Sequence, residues 1–203
     1  MHDIELFAEI TCPFTHVGLH RLRDERARRG LTTPHLRVRA WPLELVNGQP
    51  LDGVAVAEKA AALRAQVAPD LFAHVDPDNW PTTSRPAFDL VEAAYRHGVE
   101  TGELVSVAVR DALFELGQDI SDPEVLARIA HDHGIGGVSQ VDDEAIEQDW
   151  QEGQRRHVVG SPHFFVGDDD VFCPTLEITH PDGKLHIEID RAGFESFLTK
   201  VFA

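Results

Sequence analysis

Ile4-Glu5-Leu6-Phe7-Ala8-Glu9-Ile10-Thr11-Cys12-Pro13-Phe14-Thr15-His16 is the stretch that decides how the chain is read. The apolar character of residues 4–10 is that of a buried strand, and it stops at a cysteine followed by a proline. Pro13 suits the first position of a helix, where its missing N–H costs nothing and its fixed φ is already helical, so Cys12 is expected at the N-cap. That position has chemical consequences. Unpaired backbone N–H groups and the positive end of the helix dipole favour an anion there, which favours the thiolate form of Cys12. Thr15 lies on the same face one turn on, where its hydroxyl can donate to a thiolate but cannot form a disulfide. His16 reads as an exposed helix histidine in preference to a group that tunes the thiol.

Downstream of Cys12 the helix runs through Val17, Leu19 and Leu22 into an arginine-rich end, with Gly30 as its stop. Residues 35–46 read as a second strand, parallel to the first through a right-handed helical crossover. From Gly53 to Arg156 no strand pattern is found. Helices are expected over 54–67, 70–75, 84–97, 103–116, 121–133 and 142–156, with a loop at 76–81. Phe164–Val166 and Val171–Cys173 read as an antiparallel pair around a tip at Asp168-Asp169-Asp170. A second hairpin turns at Pro181-Asp182-Gly183, and Asp190 caps a final helix. The expectation is an α/β protein, a mixed sheet with helices on both faces, with residues 1–50 and 157–203 forming the core and 51–156 a helical insertion subdomain.

The strand, the Cys-Pro-x-x turn and the helix resemble the thioredoxin superfamily, whose usual motif is Cys-x-x-Cys. Here Thr15 stands where the second cysteine would be. The frame from Ile10 to Gly18 looks like the DsbA-like branch, which includes FrnE-type oxidoreductases, 2-hydroxychromene-2-carboxylate isomerases and kappa-class glutathione transferases. Gly160-Ser161-Pro162-His163-Phe164-Phe165-Val166 resembles that family's cis-proline loop and the strand after it. The match is best over residues 1–46 and 155–203. The resemblance implies a thioredoxin-like fold with an all-helical insertion between the second and third core strands. It also implies a cis bond before Pro162, which would face Cys12, substrate contacts from Pro13 and Phe14, and pairing of the Ser161 backbone with an extended substrate.

Whole-chain properties narrow the function. A formal charge of −17, from 35 acidic and 18 basic residues, argues against nucleic acid or an anionic membrane as partner. Residues 1–5 have no basic and then apolar leader, so a cytoplasmic protein is expected. Cys12 and Cys173 make no disulfide framework, and in a reducing compartment a cysteine is more plausibly catalytic than structural. Cys173 reads as a packed strand residue, with a resolving role as the alternative. No metal site is read. His131 and His133 are two apart on a helix, Asp168–Asp170 has no calcium-loop spacing, and Gly134-Ile135-Gly136-Gly137 follows a helix as a turn.

The leading reading is a thiol–disulfide oxidoreductase acting through Cys12, with Thr15 stabilising the thiolate and no tightly bound cofactor. Its co-substrate would be a low-molecular-weight thiol of the glutathione or mycothiol type, and a homodimer is left open. A kappa-transferase or hydroxychromene-isomerase-like enzyme, activating a bound thiol, is the second reading. Members of that group usually carry serine at the first motif position, so Cys12 argues against it and Thr15 mildly for it. A redox-inert thioredoxin-fold binding protein is the third.

Overall fold

The computed structural model describes residues 4–136 and 143–203. Strands β1 (Ile4–Ala8), β2 (Leu36–Ala40), β3 (His163–Val166) and β4 (Asp169–Phe172) form one sheet in the order β2-β1-β3-β4. The β1–β2 pair is parallel and the other two pairs are antiparallel, so the sheet is mixed. Leu6 sits opposite Val38 on one side and Phe164 on the other. With side chains alternating between faces, Ile4, Leu6, Ala8, Leu36, Val38, Phe164 and Val166 share one face, and Glu5, Phe7, Arg37, Arg39 and Phe165 the other.

Helices cover both faces. Helix α1 (Pro13–Arg28) packs on the first, where Gly18 approaches the ring of Phe164. The final helix (Arg191–Val201), capped by Asp190 accepting from Gly193 N, lays Phe197 against Phe164 at 4.8 Å. Between β2 and β3 run α2 (Leu43–Asn47), α3 (Gly53–Gln66), α4 (Arg85–Tyr95), α5 (Val99–Phe114), α6 (Pro123–Asp132) and α7 (Asp143–Arg155). Helix α7 covers the second face, with Trp150 on Trp41 at 4.4 Å. A Cβ at Gly153 would lie 2.4 Å from the Trp41 ring, so the close approach requires glycine. The last helix is therefore α8.

Several boundaries differ from expectation. The strand expected over 35–46 stops at Ala40, because Pro42 offers no N–H and the chain turns into α2, whose Leu43 N–H donates to Glu9. No helix forms over 70–75: Phe72 adopts φ 62°, and the N–H groups of Phe72 and Ala73 both donate to the Glu115 carboxylate. Helix α5 begins at Val99, directly after Gly98, instead of at Glu103. Asp168–Asp170 are exposed at the β3–β4 hairpin end as expected, but the turn is confined to residues 167–168 and Asp169 and Asp170 already open β4, paired with Lys200 and His163. Strands β5 (Leu176–Thr179) and β6 (His186–Ile189) form a separate two-stranded sheet. Gly137 and Asp142 lie outside the described residues. Among those described, no helix is long and apolar enough to cross a membrane.

The outer edge of β2 is closed by side chains. Leu36 N donates to Glu103 (3.0 Å), Val38 N to the Tyr95 hydroxyl (2.7 Å) and Ala40 N to Asp149 (2.8 Å), while Tyr95 donates to Leu36 O at 2.8 Å. Glu103 also accepts from Arg26 at 2.5 and 3.0 Å. Burial works against the ionised Glu103 carboxyl, but the Arg26 guanidinium and the Leu36 N–H outweigh it and hold the group below its ordinary value. A carboxyl lowered in the folded state contributes stability above its unfolded value, and that contribution is lost as the pH falls. Glu103→Gln should therefore destabilise the protein by about 3–5 kcal/mol at pH 7, by leaving the Arg26 charge without a carboxylate and with only the Pro34 carbonyl as acceptor, and should flatten the loss of stability on the acid side. Urea denaturation from pH 7 downward measures both effects.

Candidate functional site at the head of the first helix

The chain leaves β1 at Ala8, crosses Glu9-Ile10-Thr11 and enters α1 with Cys12 as the N-cap (φ −84°, ψ 114°). Cys12 is buried, 4% exposed, and its Sγ–H donates to the Ser161 carbonyl oxygen at 3.3 Å. The Ser161–Pro162 peptide is cis. The Ser161 hydroxyl accepts from Glu9 N at 2.9 Å and lies 2.8 Å from the hydroxyl of Thr15. Residues 146 to 152 positions apart in the chain are thus joined by three polar contacts. β1 and β3 are neighbouring strands, so the segments after β1 and before β3 meet at the same end of the sheet. Pro13 is buried at the start of α1 and Phe14 is half-buried beside it.

The Thr15 hydroxyl was expected to face the Cys12 sulfur. It is fully buried and 2.8 Å from the Ser161 hydroxyl, and the Cys12 side chain accepts no capping bond from the backbone of α1. His16 was expected to be exposed and is wholly buried. Helix α5 covers that side of α1, with Glu115 2.7 Å from His16 Nε2 and the rings of Phe114 and Phe72 at 4.9 and 5.2 Å. Burial favours the neutral imidazole. Burial also opposes ionisation of Glu115, but His16 and the N–H groups of Ala73 and Phe72 outweigh it and bring the carboxyl down to about 2. The two backbone donors need no charge on His16, so a neutral imidazole donating to an ionised Glu115 is the consistent state.

Cys173 follows β4, in the left-handed region at φ 44°, and its N–H donates to Pro162 O at 3.0 Å. Both cysteines are free. Burial, with an added contribution from the Cys12 charge, pushes the Cys173 thiol up to about 12. It keeps its proton at neutral pH, the wrong state for attack on a disulfide.

Two groups escaped the reading of the sequence. Arg110 of α5 is 1% exposed, with Nη1 donating to Ser106 O (2.8 Å) and Oγ (2.7 Å) and Nη2 to Glu9 O (3.3 Å). Burial pulls its guanidinium down to about 10, against which the charges of Glu9, Tyr95 and Cys12 act. It stays cationic at neutral pH and within electrostatic reach of the Cys12 sulfur. The Glu9 carboxylate accepts from Thr11 N (3.0 Å) and Leu43 N (2.7 Å), but burial still pushes the group above its ordinary value. A signal for Arg110 was present in the polar run Glu103, Ser106, Arg110, which falls on one face of α5 at spacings of three and four.

The family model described as DSBA-like thioredoxin domain matches residues 3–178. Among solved structures, a 2-hydroxychromene-2-carboxylate isomerase is 15% identical with a TM-score of 0.57, over 83% of this chain and 87% of that one. The cytosolic disulfide reductase DsbM from Pseudomonas aeruginosa is 15% identical with a TM-score of 0.61, over 97% of each chain. The DsbM structure with GSH gives 13% and 0.59, again over 97% of each. At such identities the likeness is one of fold. No curated protein sequence matches the chain.

If the Arg110 charge favours ionised Cys12, Arg110→Met should slow alkylation of Cys12 by iodoacetamide at pH 7. Rates in a Cys173→Ser background, with circular dichroism confirming the fold, decide. An unchanged rate in a folded variant removes Arg110 from the site.

Proposed function

This chain belongs to the DSBA-like thioredoxin family, and on that premise we propose that it catalyses thiol–disulfide exchange through Cys12 as its single motif nucleophile. The observation that carries the reading is the contact between the Cys12 sulfur, at the mouth of α1, and the Ser161 carbonyl beside Pro162. Thr15 occupies the place of a second cysteine and is bonded to Ser161, so release of a product from Cys12 falls to an external thiol.

The exchange runs in two steps. The Cys12 thiolate attacks one sulfur of a disulfide RSSR′, forming Cys12–S–S–R and expelling R′S⁻, which takes a proton from solvent. A second thiolate R″S⁻ then attacks the sulfur carried by R, giving RSSR″ and returning Cys12 as thiolate. Arg110 and the unpaired N–H groups of the first turn favour the negative charge at both ends of the cycle. Once Cys12 has lost its proton it no longer donates to Ser161 O. That oxygen becomes free to accept an N–H from an extended substrate in a strand-like pairing. With Cys12 only 4% exposed, the approach to sulfur is narrow and favours a slim, low-molecular-weight disulfide of the glutathione or mycothiol type over a bulky protein one. Such a thiol is abundant in a reducing cytosol, where we place the reaction.

The enclosure of Cys12 also gives weight to the transferase or isomerase reading, in which the site binds a thiol and hydrogen-bonds its thiolate without a covalent bond.

Incubation with glutathione disulfide and intact-mass spectrometry separates these outcomes. A single adduct on Cys12, reversed by dithiothreitol and absent in Cys12→Ser, is expected. Bound glutathione without an adduct would favour the transferase reading, and neither would leave a redox-inert scaffold. Because Cys173 is held protonated, no crosslink between residues 12 and 173 is expected after oxidation. A crosslinked peptide would restore Cys173 as the resolving thiol.

A further inference from the structure

We propose that His16, His20 and Asp111 bind a divalent transition-metal ion, with zinc the best fit, bridging α1 and α5. His16 and His20 lie four residues apart on one face of α1, their rings 4.5 Å apart, and Asp111 faces them from α5. One ligand atom from each of the three falls within 4.8 Å of the others. His20 Nε2 is 2.8 Å from Asp111 Oδ1, and His16 Nδ1 is 4.0 Å from the same oxygen. Tetrahedral zinc, with bonds of about 2.0–2.2 Å, separates its donor atoms by ~3.4 Å. Small side-chain adjustments of opposite sign therefore seat an ion.

A second observation points to a ligand. His16 is wholly buried, and its Nδ1 has no hydrogen-bond partner. Its other nitrogen, Nε2, is fixed by Glu115 at 2.7 Å, and Glu115 is anchored in turn by the N–H groups of Phe72 and Ala73, both at 2.8 Å. With the proton on Nε2, the Nδ1 lone pair is directed towards Asp111. A carboxylate behind an imidazole is the arrangement that orients metal-binding histidines. His20 and Asp111 are 21% and 38% exposed, which leaves an entry route and an open coordination position. Two imidazoles and one carboxylate suit zinc and neighbouring first-row ions and disfavour calcium and magnesium.

The sequence drew attention only to His131 and His133, which are elsewhere, so this site departs from the expectation of none. It does not depend on the exchange reading. An ion there would tie the first turns of α1, headed by Cys12, to the turn of α5 that carries Arg110.

The test is zinc binding to the full chain, stripped of metal, in competition with a chromogenic chelator. One equivalent bound more tightly than ~1 µM and a raised melting temperature are expected. Cobalt should give a visible absorption without a thiolate charge-transfer band. His20→Gln and Asp111→Asn, both at partly exposed positions, should weaken zinc binding at least ~100-fold, and Glu115→Gln by about 10–100-fold. Cys12→Ser and His131→Ala should leave it unchanged. The proposal is overturned if the chain binds no zinc in this range, or if His20→Gln and Asp111→Asn, folded by circular dichroism, bind it as the parent does.

Discussion

Three backbone N–H groups on the free edge of β2 hold the structure in register. A free strand edge presents donors that must be paired, covered or solvated, and here Leu36, Val38 and Ala40 are paired with Glu103, Tyr95 and Asp149. Those side chains belong to α5, α4 and α7, so one strand fixes three helices at once. A helix pinned at one residue has its other side chains placed by its rise of 1.5 Å per residue. Arg110 follows Glu103 by two turns, and that interval carries its guanidinium to the Glu9 carbonyl just ahead of Cys12. The same helix brings Asp111 and Glu115 to α1. A hydrogen bond at the far edge of the sheet is thus on the same helix as the guanidinium that reaches the Glu9 carbonyl.

This arrangement opposes stability as much as it serves it. Glu9 and Arg110 are both excluded from water, the first raised and the second lowered by burial, and Arg110 Nε has no partner. Buried charges of this kind are often replaceable by apolar side chains with no loss of stability. Apolar packing would not hold a positive charge near Cys12. Both buried groups lie beside the head of α1, within a core whose larger part is apolar.

What the sequence revealed was local. Cys12-Pro13 announced a helix start, the alternation of β1 announced a buried strand, and Asp190 announced a cap, each through neighbours in the chain. What it hid was pairing at long range. Glu103, Arg110 and Asp149 look like ordinary charges on amphipathic helices until the partners of β2 are known. His16 looked exposed because nothing in α1 says that α5 lies over that face. Phe72 and Ala73 escaped a helical pattern because their N–H groups are claimed by Glu115, more than forty residues on. The Ser161 segment was found through its resemblance to a family loop, since its contacts with Glu9, Cys12 and Thr15 leave no periodic trace.

Ser161 shows what the exchange of a second cysteine for threonine does to the chemistry. Its hydroxyl is engaged by Glu9 N and Thr15, neither of which is itself a redox group. A dithiol motif would form and break a covalent bond next to this loop in every cycle. With Thr15 in place, the proposed exchange makes no covalent bond between motif side chains, and the contact it would break is the donation from Cys12 to the Ser161 carbonyl. A sulfur that has ionised or acquired a partner has no proton to donate, so that bond cannot then form. On the proposed exchange, capture at the sulfur and docking at the oxygen are thereby coupled, since an ionised or substituted sulfur leaves that carbonyl free to accept.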